Sequence, residues 1–510
     1  MLILKRAHLL LLIFGMLFIS IAVWKLNGQS QNLIIKSLII DQIPITLYEK
    51  SDGQRGPAVV IAHGFAGSQQ LMQSFALSFA LNGYVAITFD FAGHGRNPTP
   101  LAGSITQTDG ATQFLVREVQ KVAEFALSHG DGRLALLGHS MASDVVVRAA
   151  SFNPNVLATI TLSMFSPAVT SQTPRNLLVL VGDWEARLKK EALRAVNLFS
   201  DPEAARQDIT YGSFAQGNAR RASFIPYSEH VSVLYRSQSL REALAWLNTV
   251  FDFYGNAKPV IADRGGAIVL LFTGIVLLIW PMTGLLPVVS REALGTGRSG
   301  KIFWICLVVP TLLTPLLLRF VPTHILPILV ADYLSVHFFV YGSLMALCLI
   351  LTKKEKKITE RTKISFRAFG GGVVLLILFF LFAFILPLNT YFTSFIPVTS
   401  RLPIICILFV GTLLFFLSDE WLTHGKSAIK GAPIFSKIAF LLSLMIAVSF
   451  DFKRLFFLIL IIPVIVLFFV LFGLVSRLSY KTTGHPAVAA LSNAFALAWS
   501  IGVTFPMLSG

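Results

Sequence analysis

The chain has 510 residues, room for two or three domains; 55% are hydrophobic and 13% charged, and the mean hydropathy is +0.71. That is too apolar for a soluble globular protein and indicates several membrane spans. The formal net charge of +16 is unevenly spread. Between Asn27 and Lys258 there are 19 Lys/Arg and 18 Asp/Glu, so the basic excess lies in the hydrophobic remainder. Basic loops beside membrane helices explain the high pI, and nucleic acid is not an expected partner. The three cysteines, Cys306, Cys348 and Cys406, all sit in apolar segments, so no disulfide framework is implied.

Lys5 and Arg6 precede an apolar run from His8 to about Trp24. It is expected to be an uncleaved signal anchor (residues 1–27) rather than a cleaved leader, with the basic end cytoplasmic and the chain from about Asn27 exported. From about 28 to 258 short apolar strands alternate with helices. Ile34 to Leu47 forms an opening hairpin and Ala58–Ile61 a buried strand. Gln70 to Leu81 is a helix, Tyr84–Phe89 a strand, and Gly110–His129 a long amphipathic helix. Strands follow at Leu134–Leu137, Ala158–Met164, Leu177–Val181 and Ala222–Pro226, and His230–Phe251 closes the segment as a helix. Such alternation predicts a mostly parallel sheet covered on both faces, an α/β domain.

Gly138-His139-Ser140-Met141-Ala142 lies between a strand and a helix. Small residues two positions either side of a central Ser fit the strained turn of a nucleophile elbow. Ala142 replaces the more usual Gly. A Ser hydroxyl needs a base to take its proton, and imidazole has a suitable pKa. His230 follows the last strand. Asp183 and Glu185 follow the Leu177–Val181 strand and offer an anionic orienter for that imidazole.

With His63-Gly64-Phe65 after an early strand and Asp90-Phe91-Ala92-Gly93-His94-Gly95 after the next, residues 33–252 resemble the α/β-hydrolase superfamily. The resemblance implies a serine hydrolase fold, with the acid between Ser and His in chain order. Ser140, Glu185 and His230 obey that order. The family usually sets the acid three residues after the Gly, which selects Glu185 with Asp183 as alternative. The oxyanion donors implied are the backbone N–H groups of Phe65 and Met141. His63, His94 and His139 fit no compact metal-ligand spacing, so neither metal nor cofactor is expected. The connection from Phe165 to Asn176 is too short for a large helical lid, which predicts an open site. The polar stretch 201–221 or the membrane surface is a candidate cover.

From 264 to 510 eight apolar runs predict an all-α membrane domain, nine spans with the anchor. Basic residues gather in alternate connections, with Lys353–Arg367 holding seven. This places the N-terminus in the cytoplasm and both the α/β domain and the C-terminus outside, in a multi-pass protein of the cell membrane. Asp419-Glu420 and Asp451 fall at span ends and are expected to be interfacial. The function expected is a membrane-bound serine hydrolase that cleaves an ester, thioester or amide of a small or lipid-like acyl substrate. A transporter or assembly protein using the fold as a binding module, or an acyltransferase, is the alternative. The central domain looks complete and is expected to fold without the later spans.

Overall fold

The computed structural model describes residues 2–104, 108–199, 205–296, 300–352 and 363–509. The seven-lysine-and-arginine stretch therefore lies mostly outside the described residues, as does the start of the expected 201–221 cover. The chain divides into two compact units.

The first unit comprises Ser20–Leu271 with two later segments, Leu388–Val398 and Pro506–Gly510. It carries nine strands: β1 (Leu33–Ile40), β2 (Ile43–Lys50), β3 (Ala58–Ala62), β4 (Val85–Phe89), β5 (Leu134–His139), β6 (Val156–Leu162), β7 (Leu177–Gly182), β8 (Thr210–Tyr211) and β9 (Arg220–Ile225). Their order in the sheet is β1-β2-β4-β3-β5-β6-β7-β9-β8. The strands from β4 to β9 run parallel, while β1, β2 and β8 pair antiparallel. The central strands are apolar runs because both faces are covered. Alternation along β3 sends Val59 and Ile61 to one core and Ala58 and Val60 to the other.

Helices follow chain order: α1 (Leu2–Gly28), α2 (Gln73–Leu81), α3 (Gln113–His129), α4 (Met141–Phe152), α5 (Ala186–Asn197) and α6 (Ser237–Phe251). Phe75 and Phe79 of α2 and Leu240, Leu244 and Leu247 of α6 cover one face. Val119 and Val122 of α3 and Val145 and Val146 of α4 cover the other. Burying one such side chain contributes roughly 1.5–3 kcal/mol. The closing helix begins later than the sequence indicates. After a 3₁₀ turn at Ser232–Tyr235, Arg236 is extended (φ −74°, ψ 126°), so α6 starts at Ser237 and His230 stays in a loop.

Within α3, Glu118 is buried and accepts hydrogen bonds from Ala92 N (2.9 Å) and Asn97 Nδ2 (3.2 Å). Burial outweighs those bonds and raises its carboxyl to about 7. A folded-state pKa above the unfolded one stabilises the fold at low pH, and that contribution is lost as pH rises from about 5 to about 7. Glu118→Gln should therefore flatten this part of the stability profile, by on the order of 3 kcal/mol at most. Thermal midpoints of both proteins at pH 5 and 8 check it; an unchanged slope would contradict it.

Two later segments, Leu388–Val398 and Pro506–Gly510, join residues 20–271 in this unit. Ser394 N donates to Ser68 Oγ (2.8 Å), Ser394 Oγ to Gln70 Oε1 (2.9 Å), and Gln70 Nε2 to Asn389 O (3.1 Å). Met507 N donates to Gly93 O and Leu101 N to Met507 O, both at 2.9 Å. Gly93 must be Gly: its φ is +76°, and a Cβ would sit 2.5 Å from Met507 O.

The second unit comprises Met1–Ile19, Phe272–Pro387 and Thr399–Phe505. The remaining helices are α7 (Gly265–Gly284), α8 (Lys301–Leu318), α9 (Ala331–Leu351), α10 (Phe366–Phe379), α11 (Leu386–Tyr391), α12 (Leu402–Thr423), α13 (Ala432–Phe450), α14 (Phe452–Thr483) and α15 (Pro486–Thr504). Among the described residues nine helical stretches are long and apolar enough to cross a membrane, by length and composition. They coincide with the nine apolar runs. Glycines let backbones approach: a Cβ on Gly342 of α9 would sit 2.4 Å from Phe415 N of α12. Asp419 and Glu420 lie near the end of α12 but do not face solvent. Helix α12 runs on to Thr423, and both side chains are buried in protein. Asp419 pairs with Lys437 and accepts from Ser436; Glu420 pairs with His424 at 3.1 Å. Buried charges need such partners, and α13 and α14 bring them. Asp451 caps α14 by accepting from Arg454 N.

Candidate active site

Strand β5 runs into the turn that carries Ser140, with φ +54° and ψ −116°. No β-carbon fits at Gly138, where it would lie 2.5 Å from Ala142 O. Ala142 itself is fully buried, so its methyl is accommodated. The sheet and α4 thus impose a strained backbone that projects the hydroxyl from the C-terminal edge of the strands.

Strand β9 ends at Ile225, and the following loop brings His230 back to the same edge. Its Nε2 lies 2.8 Å from Ser140 Oγ and its Nδ1 2.6 Å from Glu185 Oε1. Glu185 stands directly before α5, three residues past the Gly182 that ends β7. The other carboxylate oxygen, Oε2, accepts from Ser163 Oγ (2.6 Å) and Gly182 N (2.9 Å). Burial alone would raise this carboxyl. The bonds from His230 and Ser163, the imidazole charge and the Gly182 N–H outweigh it and hold the group below the usual carboxylate range. Asp183 is elsewhere: half exposed, it pairs with Lys189 at 2.9 Å and does not reach His230.

Two residues that sequence reasoning did not assign steady this arrangement. Ser163, at the end of β6 with φ +52°, orients Glu185. His139 donates from Nε2 to the carbonyl of His230 (2.8 Å), anchoring the loop. Burial, reinforced by the neighbouring His230 imidazole, drives its pKa down to about 3, so it is a neutral donor. The elbow motif contains His139, but only the fold reveals its partner. Ser163 left no sequence signal.

The His63–Gly67 turn packs beside Ser140: a Cβ on Gly64 would sit 3.0 Å from Ser140 Cβ. Phe65 follows in that turn, and Met141 opens α4, so both expected N–H positions border the Ser140 turn. A first-turn helical N–H has no intrahelical acceptor and can point at developing negative charge. His63 is structural: Nδ1 donates to Gly64 O (2.8 Å) and Nε2 accepts from Phe91 N (3.2 Å). Asp90 accepts from Gln69 N and Arg96 N, and so ties both turns together. Among the described residues no group of three or more His, Cys, Asp or Glu could hold a metal.

Residues 53–240 match the family model described as serine aminopeptidase, S33. This segment is an α/β-hydrolase domain. Among solved structures the chain is similar to a CIB-like hydrolase from Thermoplasma acidophilum, with 14% identity over 42% of this chain and 99% of that one (TM-score 0.34). A dienelactone hydrolase from Anabaena variabilis matches with 14% identity over 44% and 99% (TM-score 0.32). A membrane phospholipase A described as a bacterial virulence factor matches with 16% identity over 49% and 96% (TM-score 0.31). No curated protein matches the chain. Residues 165–176 form only turns, and β8 of the expected cover extends the sheet edge beyond β9.

Proposed function

We propose that the protein is a membrane-bound serine hydrolase acting outside the cytoplasm on acyl compounds with an apolar chain. The observation that carries this reading is the unbroken hydrogen-bonded chain Ser140–His230–Glu185. Ser140 Oγ attacks the acyl carbon as its proton passes to His230 Nε2. Glu185 holds the ring and balances the imidazolium. Backbone N–H groups of Met141 and Phe65 receive the oxyanion. The imidazolium then protonates the departing alcohol, thiol or amine. Water, deprotonated by His230, releases the acid and restores Ser140. No cofactor takes part.

The apolar-chain reading rests on what surrounds these residues. Phe165, Trp184, Tyr227 and Val231 are exposed by 66%, 67%, 74% and 40%. Each lies within three residues of Ser163, Glu185 or His230, so large apolar side chains flank the site residues along the chain. The nine apolar helices supply a reason to be near lipid. A series of p-nitrophenyl esters from acetate to laurate tests the reading. The full-length protein should cleave them with kcat/KM rising with chain length, and Ser140→Ala should not cleave them. A preference for acetate would remove the apolar-chain assignment, and equal rates for both proteins would remove the serine mechanism.

A further inference from the structure

A cavity of about 220 Å³ lies in the unit that carries the sheet, and its lining includes none of Ser140, His230 and Glu185. That is far more than a single water requires. Its walls come from β1 and β2, the Gln69–Gln73 turn, the ends of α1 and α11, and the residue before α7. Polar side chains dominate, among them Gln69, Gln70, Gln73 and Tyr48; two arginines contribute and no acid does.

Arg264 is only 4% exposed. It donates from Nη2 to Gln73 Oε1 (3.0 Å) and lies 5.9 Å from the centre of the Tyr391 ring. Its Nε has no partner among the described residues. Burial pulls its pKa below the usual arginine range, and the groups that counter this are the hydroxyls of Tyr235, Tyr48 and Tyr391, not a carboxylate. Asp90 faces the backbone of Gln69 and Arg96 behind the wall, and the adjacent Asp263 is exposed. A buried guanidinium without an anion is costly, whereas one paired to an oxyanion through its fork of donors is not. Arg96, exposed, adds a second positive charge to the lining.

We infer that this cavity binds a phosphate group through Arg264 and Arg96. Its sequence neighbours suggest where that phosphate comes from. Leu26 and Asn27 close one candidate span, Arg264 immediately precedes another, and Tyr391 ends a third. Arginine and tyrosine at span ends sit at headgroup level. The same two arginines would also take a free phosphate ester.

The test follows the thermal midpoint of full-length, detergent-solubilised protein during three titrations. The additions are inorganic phosphate, dioctanoyl phosphatidylglycerol, and dioctanoyl phosphatidylcholine as a zwitterionic control. Saturable stabilisation by inorganic phosphate assigns a soluble phosphate. Stabilisation by phosphatidylglycerol alone, at least about tenfold tighter than by phosphatidylcholine, assigns a lipid headgroup. Arg264→Gln should weaken the effective ligand at least about tenfold, and Arg96→Gln about fivefold. If Arg264→Gln does not fold, the exposed Arg96→Gln decides. Absence of saturable stabilisation by either phosphate or phosphatidylglycerol overturns the inference, as does unchanged affinity in the folded variants.

Discussion

Glu185→Gln should lower kcat by about 10⁴, the loss seen when a base in such an arrangement is held in the wrong tautomer. The amide can still accept from Ser163 and Gly182, so the loop before α5 should keep its shape. It cannot balance an imidazolium, and its NH₂ group competes for His230 Nδ1. Asp183→Asn loses only a half-exposed ion pair to Lys189, worth about 1 kcal/mol or less, and should turn over near the wild-type rate. Steady-state rates on the preferred ester, with circular dichroism to verify folding, distinguish the two. A large loss in Asp183→Asn with Glu185→Gln active would contradict the site as described.

A fragment ending at Ala257 should be far less stable than the hydrolase domain in the whole chain. It lacks Val260 and Ala262, which bond to Asn82 and Ser78 behind α2. It lacks Asn389 and Ser394, which satisfy Gln70 and Ser68 just past the His63–Gly67 turn. It also lacks Met507, whose backbone pairs with Gly93 and Leu101. Each lost bond costs about 1 kcal/mol, more where a buried partner is left unsatisfied. Amide exchange of β3 and β5 should therefore be at least about a hundredfold faster in the fragment, equivalent to about 3 kcal/mol. Equal protection would mean that the later segments merely rest on a self-sufficient fold.

This expected result runs against the reading from sequence that the central domain folds without the later spans. Strand alternation, helix periodicity and neutral charge between 28 and 258 describe a domain that looks complete, because they report local burial. They carry no trace of which distant residues close it. Leu388–Val398 and Pro506–Gly510 sit at or just past the ends of long apolar runs, where nothing in the sequence ties them to the sheet. The same limit explains Asp419 and Glu420. One-dimensional spacing put them near a span end, but Lys437 on α13 and Ser476 on α14 make them interior groups. The elbow, by contrast, was legible, since strand, small residues, Ser and helix are consecutive. The order of Ser140, Glu185 and His230 was legible through the family resemblance. Ser163 and His139 were not, because their value lies in what they touch across the sheet edge.

The proposed mechanism makes Ser140 a nucleophile activated by His230. Exposing the full-length protein in membranes to a fluorophosphonate and reading the modified peptide by mass spectrometry tests this. A single adduct on Ser140 is expected, formed in wild type, absent in Ser140→Ala and slowed by at least about a hundredfold in His230→Ala. An unmodified Ser140 in folded protein, or an adduct that forms at the wild-type rate without His230, would contradict it.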